Sequence, residues 1–205
     1  MTSELYSFHF IPGTAPAATP MVLLHGSGGD EHSLVPLAAE LAPGTPTLAV
    51  RGTVSIDDGF AFFHRRPDNS VDEADIGARI PALAEFIAAE STRHEFAKAP
   101  IAVGFSNGAI MVAALLLTHP GLLTAAILFR PLSPFLQDLP VRMNGTPVLI
   151  IDGEKDRRRS PGDGARLAER LINAGATVTH RVLPVGHSIT ATDVQVARDW
   201  HKSLG

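Results

Sequence analysis

Gly104-Phe105-Ser106-Asn107-Gly108 is the stretch that decides how this chain folds. It follows the apolar run Ile101-Ala102-Val103, which is ended by Gly104 and reads as a buried strand. It leads into Asn107 to Leu117, an almost wholly apolar segment of the kind a buried helix shows. A G-x-S-x-G pentapeptide between strand and helix is a sharp turn that holds the serine in a strained conformation with its hydroxyl exposed. The glycines two before and two after the serine let neighbouring backbone come close. The helix N-terminus adds N–H groups and a positive dipole end. A serine or asparagine helix cap beside glycine would be the plainer reading. The strand before and the apolar helix after favour the strained turn.

Outward from this turn the same alternation continues. Tyr6 to Ile11 reads as an outer strand closed by Pro12-Gly13, and Met21 to Leu24 as a buried one ended by His25-Gly26. Thr47 to Val50, Ala125 to Phe129, Val148 to Ile151 and Val178 to Leu183 complete the strands. Between them lie helical faces: Leu34, Leu37, Ala38 and Leu41; then Ile76, Ile80, Leu83, Phe86 and Ile87. Ala165 to Ala174 stops at Gly175, and Val194, Val196, Ala197 and Trp200 mark a last helix. Strands alternating with helices imply an α/β fold with a mostly parallel sheet covered on both faces. Ligands of such sheets sit outside the carboxyl ends of the strands. The 205 residues, without repeat or low-complexity linker, suit one domain spanning 1–205.

Composition narrows the function. With 45% hydrophobic and 19% charged residues, a real core is expected. A net charge of -4 argues against a nucleic-acid partner, which would need a basic face. The absence of cysteine excludes disulfides, Cys-ligated zinc and a cysteine nucleophile. Met1 to Phe10 lacks a basic start followed by an apolar stretch, and no run approaches a membrane span. The expectation is a cytoplasmic protein without a membrane partner.

A serine nucleophile needs a base, and neutral imidazole suits that task. Of nine histidines, His187 stands in the loop Pro184-Val185-Gly186-His187-Ser188, between the last strand and the last helix. That is the same sheet rim as Ser106. His94, His119 and His180 read as structural or surface residues. The orienting acid should follow a strand between Ser106 and His187. Asp152-Gly153-Glu154-Lys155-Asp156 follows the strand Val148 to Ile151. Asp156 is far enough along to reach the histidine loop, with Asp152 as its rival. His25-Gly26-Ser27-Gly28-Gly29-Asp30 follows the first buried strand, and a glycine-rich turn there aims a backbone N–H at the nucleophile. The oxyanion donors expected are the N–H groups of Ser27 and Asn107. A phosphate-binding loop would end in Gly-Lys-Ser/Thr, where this one has Asp30-Glu31. A metal set of His25, Asp30 and His32 matches no zinc spacing. Asp30 reads instead as a cap or loop tie, and His25 as a packing support.

These segments resemble the phospholipase/carboxylesterase group of small α/β-hydrolases, which includes the acyl-protein thioesterases. The resemblance runs strongest to the bacterial carboxylesterase-like branch associated with quinone and catechol stress. It rests on HGSGGDEHSLVPLA at 25–38, RGTVSIDDGFAFFHRR at 51–66, GFSNGAIM at 104–111, AAILFRPLSPF at 125–135, PVLIIDGEKD at 147–156 and GHSIT at 186–190. It implies an α/β-hydrolase fold, the triad Ser106, Asp156 and His187, and the two backbone donors named above, while the small size of the chain leaves room for only a minimal lid between the strand Ala125 to Phe129 and the acid strand. It also implies esterase activity on small carboxylic esters, no metal or other cofactor, and often a homodimer. A thioesterase or lysophospholipase on the same scaffold, or a non-catalytic binding protein, are the alternative readings. Relatives commonly follow the acid with an apolar stretch ending in Val-Pro, whereas this chain has Arg157-Arg158-Arg159-Ser160-Pro161. These arginines read either as solvated or as favouring an anionic substrate. Phe60, Phe62, Phe63, Phe129 and Phe135 are candidates for an apolar substrate pocket or for ordinary core. Arg65 and Arg130 are candidates for meeting a substrate carboxylate or for internal ion pairs.

Overall fold

A computed structural model of the protein describes residues 6–15, 18–57, 59–137 and 139–205. The start of the Met1 to Phe10 segment, read above for a leader, lies outside the described residues. The central sheet is built from seven strands: β1 (Phe8–Ile11), β2 (Met21–Leu24), β3 (Thr47–Val50), β6 (Ile101–Phe105), β7 (Ala125–Phe129), β8 (Pro147–Gly153) and β9 (Thr177–Leu183). A two-stranded hairpin, β4 (Val54–Ile56) and β5 (Gly59–Ala61), lies beside it. The sheet order is β1-β3-β2-β6-β7-β8-β9, and only β1 runs antiparallel to its neighbour. This is the α/β-hydrolase fold in a small form.

Strand burial follows position in the sheet. The runs in β2, β3 and β7 are buried throughout, as central strands covered on both faces must be. The edge strands β1 and β9 are only half-buried, and β9 mixes Thr177, Thr179, His180 and Arg181 among its apolar residues. The helices divide between the two faces. α2 (Glu73–Arg93), α3 (Asn107–Thr118) and α4 (Asp163–Asn173) pack on one side, through Ile76, Ile80, Leu83, Ile110, Leu115 and Leu167. α1 (Val35–Leu41) and α5 (Ala191–Lys202) pack on the other, through Leu37, Leu41, Ala197 and Trp200. α3 is buried on every side from Asn107 to Leu117, which is why its sequence shows no polar face. Among the described residues no helix is long and apolar enough to cross a membrane.

The hairpin of β4 and β5 was not legible as strands. Its segments are three residues each, too short to show a period. The hairpin matters because it is zipped to the glycine-rich loop after β2: Gly28 N–H donates to Phe60 O at 3.0 Å, and Phe60 N–H donates to Gly29 O at 3.1 Å.

Strand order also places a crevice. From β2 the chain proceeds to β3 on one side, and later to β6 and outward on the other. The carboxyl ends of β2 and β6 are therefore the topological switch point, where open α/β sheets bind ligands. His25-Gly26-Ser27 leaves β2 there, and Ser106 leaves β6.

Candidate active site

Ser106 sits between β6 and α3 at φ 51°, ψ −106°, a left-handed conformation that non-glycine residues rarely adopt. Its backbone is held from both sides. Ser106 N–H donates to Phe129 O at 2.9 Å, and Gly108 N–H donates to His25 O at 3.0 Å. A Cβ on Gly108 would lie 2.1 Å from Leu24 O, so the turn tolerates only glycine there. Asn107 locks the same turn with its side chain: Oδ1 accepts Phe62 N–H at 2.7 Å, and Nδ2 reaches Phe63 O at 3.4 Å.

The three residues singled out from sequence come together, although 81 positions separate the first from the last. His187 Nε2 lies 3.0 Å from Ser106 Oγ, and His187 Nδ1 lies 2.7 Å from Asp156 Oδ2. A carboxylate accepts, so Nδ1 carries the proton and Nε2 is left to accept from the serine hydroxyl. Asp156 is buried and its other oxygen accepts Arg158 N–H at 2.8 Å. The rival Asp152 is engaged elsewhere, with Oδ2 2.7 Å from His180 Nε2. His180 thus serves an edge-strand pair. Burial lowers the His187 pKa below the usual imidazole value; the Asp156 hydrogen bond and charge oppose this, and the charges of Arg159 and Arg158 add to it. A neutral imidazole at neutral pH can take a proton from the serine.

The glycine-rich loop is fixed by its own side chains. Buried His25 accepts Gly52 N–H on Nε2 at 2.9 Å and donates from Nδ1 to Gly26 O at 2.7 Å, which keeps it neutral and structural. Desolvation lowers its pKa accordingly. Asp30 ties the loop through His32 N–H at 3.0 Å and Ser33 Oγ at 2.9 Å. Ser27 lines the cleft beside Ser106. The N–H groups of Ser27 and Asn107 donate to no protein acceptor among the described residues. Two free backbone donors, one at the start of α3, suit a developing oxyanion.

The pocket residues divide. Arg65 lines a cleft of about 540 Å³ that also contains Ser106 and His187. Phe63, Phe129 and Arg130 do not line it. Phe129 lies on a central strand covered on both faces, and Phe63 is buried in the core cluster on the opposite side of the sheet from α1 and α5. Arg130 is fully enclosed: Nε donates to Gly186 O at 2.9 Å, Nη1 to Ile151 O at 3.0 Å, and Nη2 to Ser188 O at 3.2 Å. Its guanidinium therefore holds both flanks of His187. Phe60 lies under the Arg51 guanidinium at 4.3 Å, Phe62 packs on His25, and Phe135 borders a separate surface cavity of about 630 Å³ that shares no lining residue with the cleft.

Two cleft residues, Asn69 and Phe105, were not anticipated, and Arg159 was weighed only as one of three arginines either solvated or favouring an anionic substrate. Phe105, the residue before the nucleophile candidate, lines the cleft with its ring 5.2 Å from that of His187. Its position inside the pentapeptide was the available signal. Arg159 is half-buried and donates from Nη2 to Ser106 Oγ at 3.0 Å. Of the three consecutive arginines, only Arg157 and Arg158 are exposed to solvent. Burial pushes the Arg159 pKa down to about 10, with the Arg65 charge adding to that effect. It remains a cation at neutral pH.

Comparison with known proteins agrees with this architecture. The profile of the phospholipase/carboxylesterase family matches residues 7–204. The chain is 35% identical over 184 residues to MhqD of Bacillus subtilis (strain 168), named as a hydrolase, covering 89% of this chain and 92% of that protein. The carboxylesterase of Bacillus cereus superposes with a TM-score of 0.94 at 31% identity, over 98% of this chain and 95% of that one. The carboxylesterase of Mesorhizobium loti gives a TM-score of 0.90 at 33% identity, over 96% and 94%. This chain belongs to the phospholipase/carboxylesterase family of hydrolases with the α/β-hydrolase fold.

Proposed function

We propose that the protein is a serine esterase that cleaves small carboxylic esters through an acyl-enzyme. The observation that carries this reading is the pair of contacts through His187, 3.0 Å to Ser106 Oγ and 2.7 Å to Asp156 Oδ2. Ser106 Oγ attacks the ester carbonyl carbon as its proton passes to His187 Nε2. Asp156 stabilises the imidazolium that forms, and does not itself take the proton. The tetrahedral oxyanion accepts hydrogen bonds from the Ser27 and Asn107 N–H groups, each worth about 3 kcal/mol of barrier. His187 then returns the proton to the leaving alcohol as the ester C–O bond breaks. Water repeats the sequence on the acyl-enzyme, releases the carboxylic acid and restores Ser106.

The cleft favours short substrates. Its wall carries arginine and other polar groups rather than a long apolar groove. A fluorophosphonate probe is expected to label the wild-type chain and not Ser106→Ala. Turnover of p-nitrophenyl acetate is expected to vanish in the same variant. Equal labelling of both proteins would refute the assignment.

A further inference from the structure

The cleft above Ser106 reverses the charge of the molecule. The chain carries a net -4 with only 17 lysines and arginines, yet Arg65, Arg157, Arg158 and Arg159 all line this one cleft. No carboxylate lines it. Arg157 and Arg158 are exposed, where water screens them. Arg65 and Arg159 are half-buried, and among the described residues neither has a carboxylate within ion-pair distance. Their donors go to neutral oxygens instead. Arg159 Nε donates to Arg130 O at 2.8 Å and Nη1 to Arg158 O at 3.1 Å, while Arg65 Nη1 donates to Asn69 O at 2.6 Å. The remaining nitrogen of Arg159, Nη2, is the one that reaches Ser106 Oγ at 3.0 Å.

Asp156, Asp163 and Asp152 offset the desolvation of Arg159 only from beyond ion-pair distance, so an anion brought by a ligand into direct contact relieves the remaining cost. The guanidinium fork matches a carboxylate better than any other side chain does. In a productive complex the scissile carbonyl carbon lies about 3–3.5 Å from the serine oxygen. A carboxylate reaching the Arg159 fork is then about two to four bonds from that carbon. We propose that this cleft takes short esters that bear a carboxylate near the scissile carbonyl, with Arg159 pairing that carboxylate and Arg65 reinforcing the field. The proposal rests on the esterase reading above and names its substrate class. The opposing role for Arg159, an extra donor to the oxyanion, would speed neutral and anionic esters alike.

Matched ester pairs separate these roles. Monomethyl succinate and methyl levulinate differ by a carboxylate in place of a methyl ketone on the acyl side. 2-Acetoxypropanoate and 3-acetoxy-2-butanone differ likewise on the alcohol side. Wild type is expected to prefer the anionic member of at least one pair, with kcat/KM higher by about tenfold. Arg159→Gln is expected to collapse that ratio towards one, and Arg159→Lys to retain part of it. Both members are assayed on one preparation, so a loss of folded protein cancels. As a readout without turnover, succinate is expected to slow fluorophosphonate labelling of wild type and not of Arg159→Gln. An anionic-to-neutral ratio that is the same in wild type and Arg159→Gln overturns the inference and leaves the esterase reading standing. No turnover of any ester, with Ser106 unlabelled, removes the esterase reading and this inference with it.

Discussion

The guanidinium of Arg130 and the carboxylate of Asp193 lie 2.8 Å apart with both side chains wholly enclosed. The Asp193 Oδ1 sits beside the guanidinium out of line with its N–H bonds, so the contact is an ion pair rather than a directed hydrogen bond. Asp193 Oδ2 accepts the Thr190 N–H and hydroxyl at the start of α5. One carboxylate thus anchors both the helix after His187 and the arginine that grips the His187 loop. Arg130→Met removes the partner of a buried charge and is expected to lower unfolding free energy by about 3–5 kcal/mol. Urea denaturation measures it. The double change Arg130→Met with Asp193→Leu is expected to recover part of that loss, because no lone charge then remains inside.

Asp156 and Asp152 compete for the same role in sequence and are separated by their partners. Asp156→Asn is expected to lower kcat by about 10³–10⁴-fold, since the amide favours the wrong imidazole tautomer. Asp152→Asn is expected to leave kcat within about threefold, because its partner is His180 on the edge strand. Ester turnover by the two purified variants decides between them.

The pH profile should place its acid limb below the ordinary imidazole value. Burial is the largest cause of the lowered His187 pKa, and the Arg159 and Arg158 charges push the same way. The base form, and with it kcat/KM, is lost only as pH falls through that lowered value. Arg159→Gln removes one neighbouring cation, so the limb is expected to move upward. A limb that moves down, or stays, would contradict the charge contribution.

Ser106 is a site of backbone strain in the turn between β6 and α3. At φ 51° and ψ −106° a side chain costs about 1–3 kcal/mol, which glycine avoids. Ser106→Gly is therefore expected to abolish turnover and to raise stability by about 1 kcal/mol, after glycine's larger chain entropy is set against the relief. Thermal unfolding of the two proteins checks the sign.

Much of the fold was open to reading because burial writes itself into local pattern. Met21 to Leu24, Thr47 to Val50 and Ala125 to Phe129 coincide with the observed strands, since strands covered on both faces must be apolar throughout. The strand ending in Gly104 runs on through Phe105, and β8 extends to Gly153, because strand ends exchange burial for turn contacts. The hairpin from Val54 to Ala61 left no pattern, being pinned by Phe60 and the loop at Gly28–Gly29 rather than by its own period.

What residue order determined was the alternation that makes a parallel sheet, the strained turn at Ser106, and the rim on which Asp156 and His187 had to meet it. These follow from period, turn chemistry and chain direction, which are local. What only the tertiary structure decided was the duty of each arginine. Arg130 and Arg159 are the same residue type in neighbouring loops, yet one is enclosed against Asp193 and carbonyl oxygens while the other ends at the serine hydroxyl. A charge is visible in sequence, but whether it is desolvated, and which atoms face it, is set by contacts between segments distant along the chain.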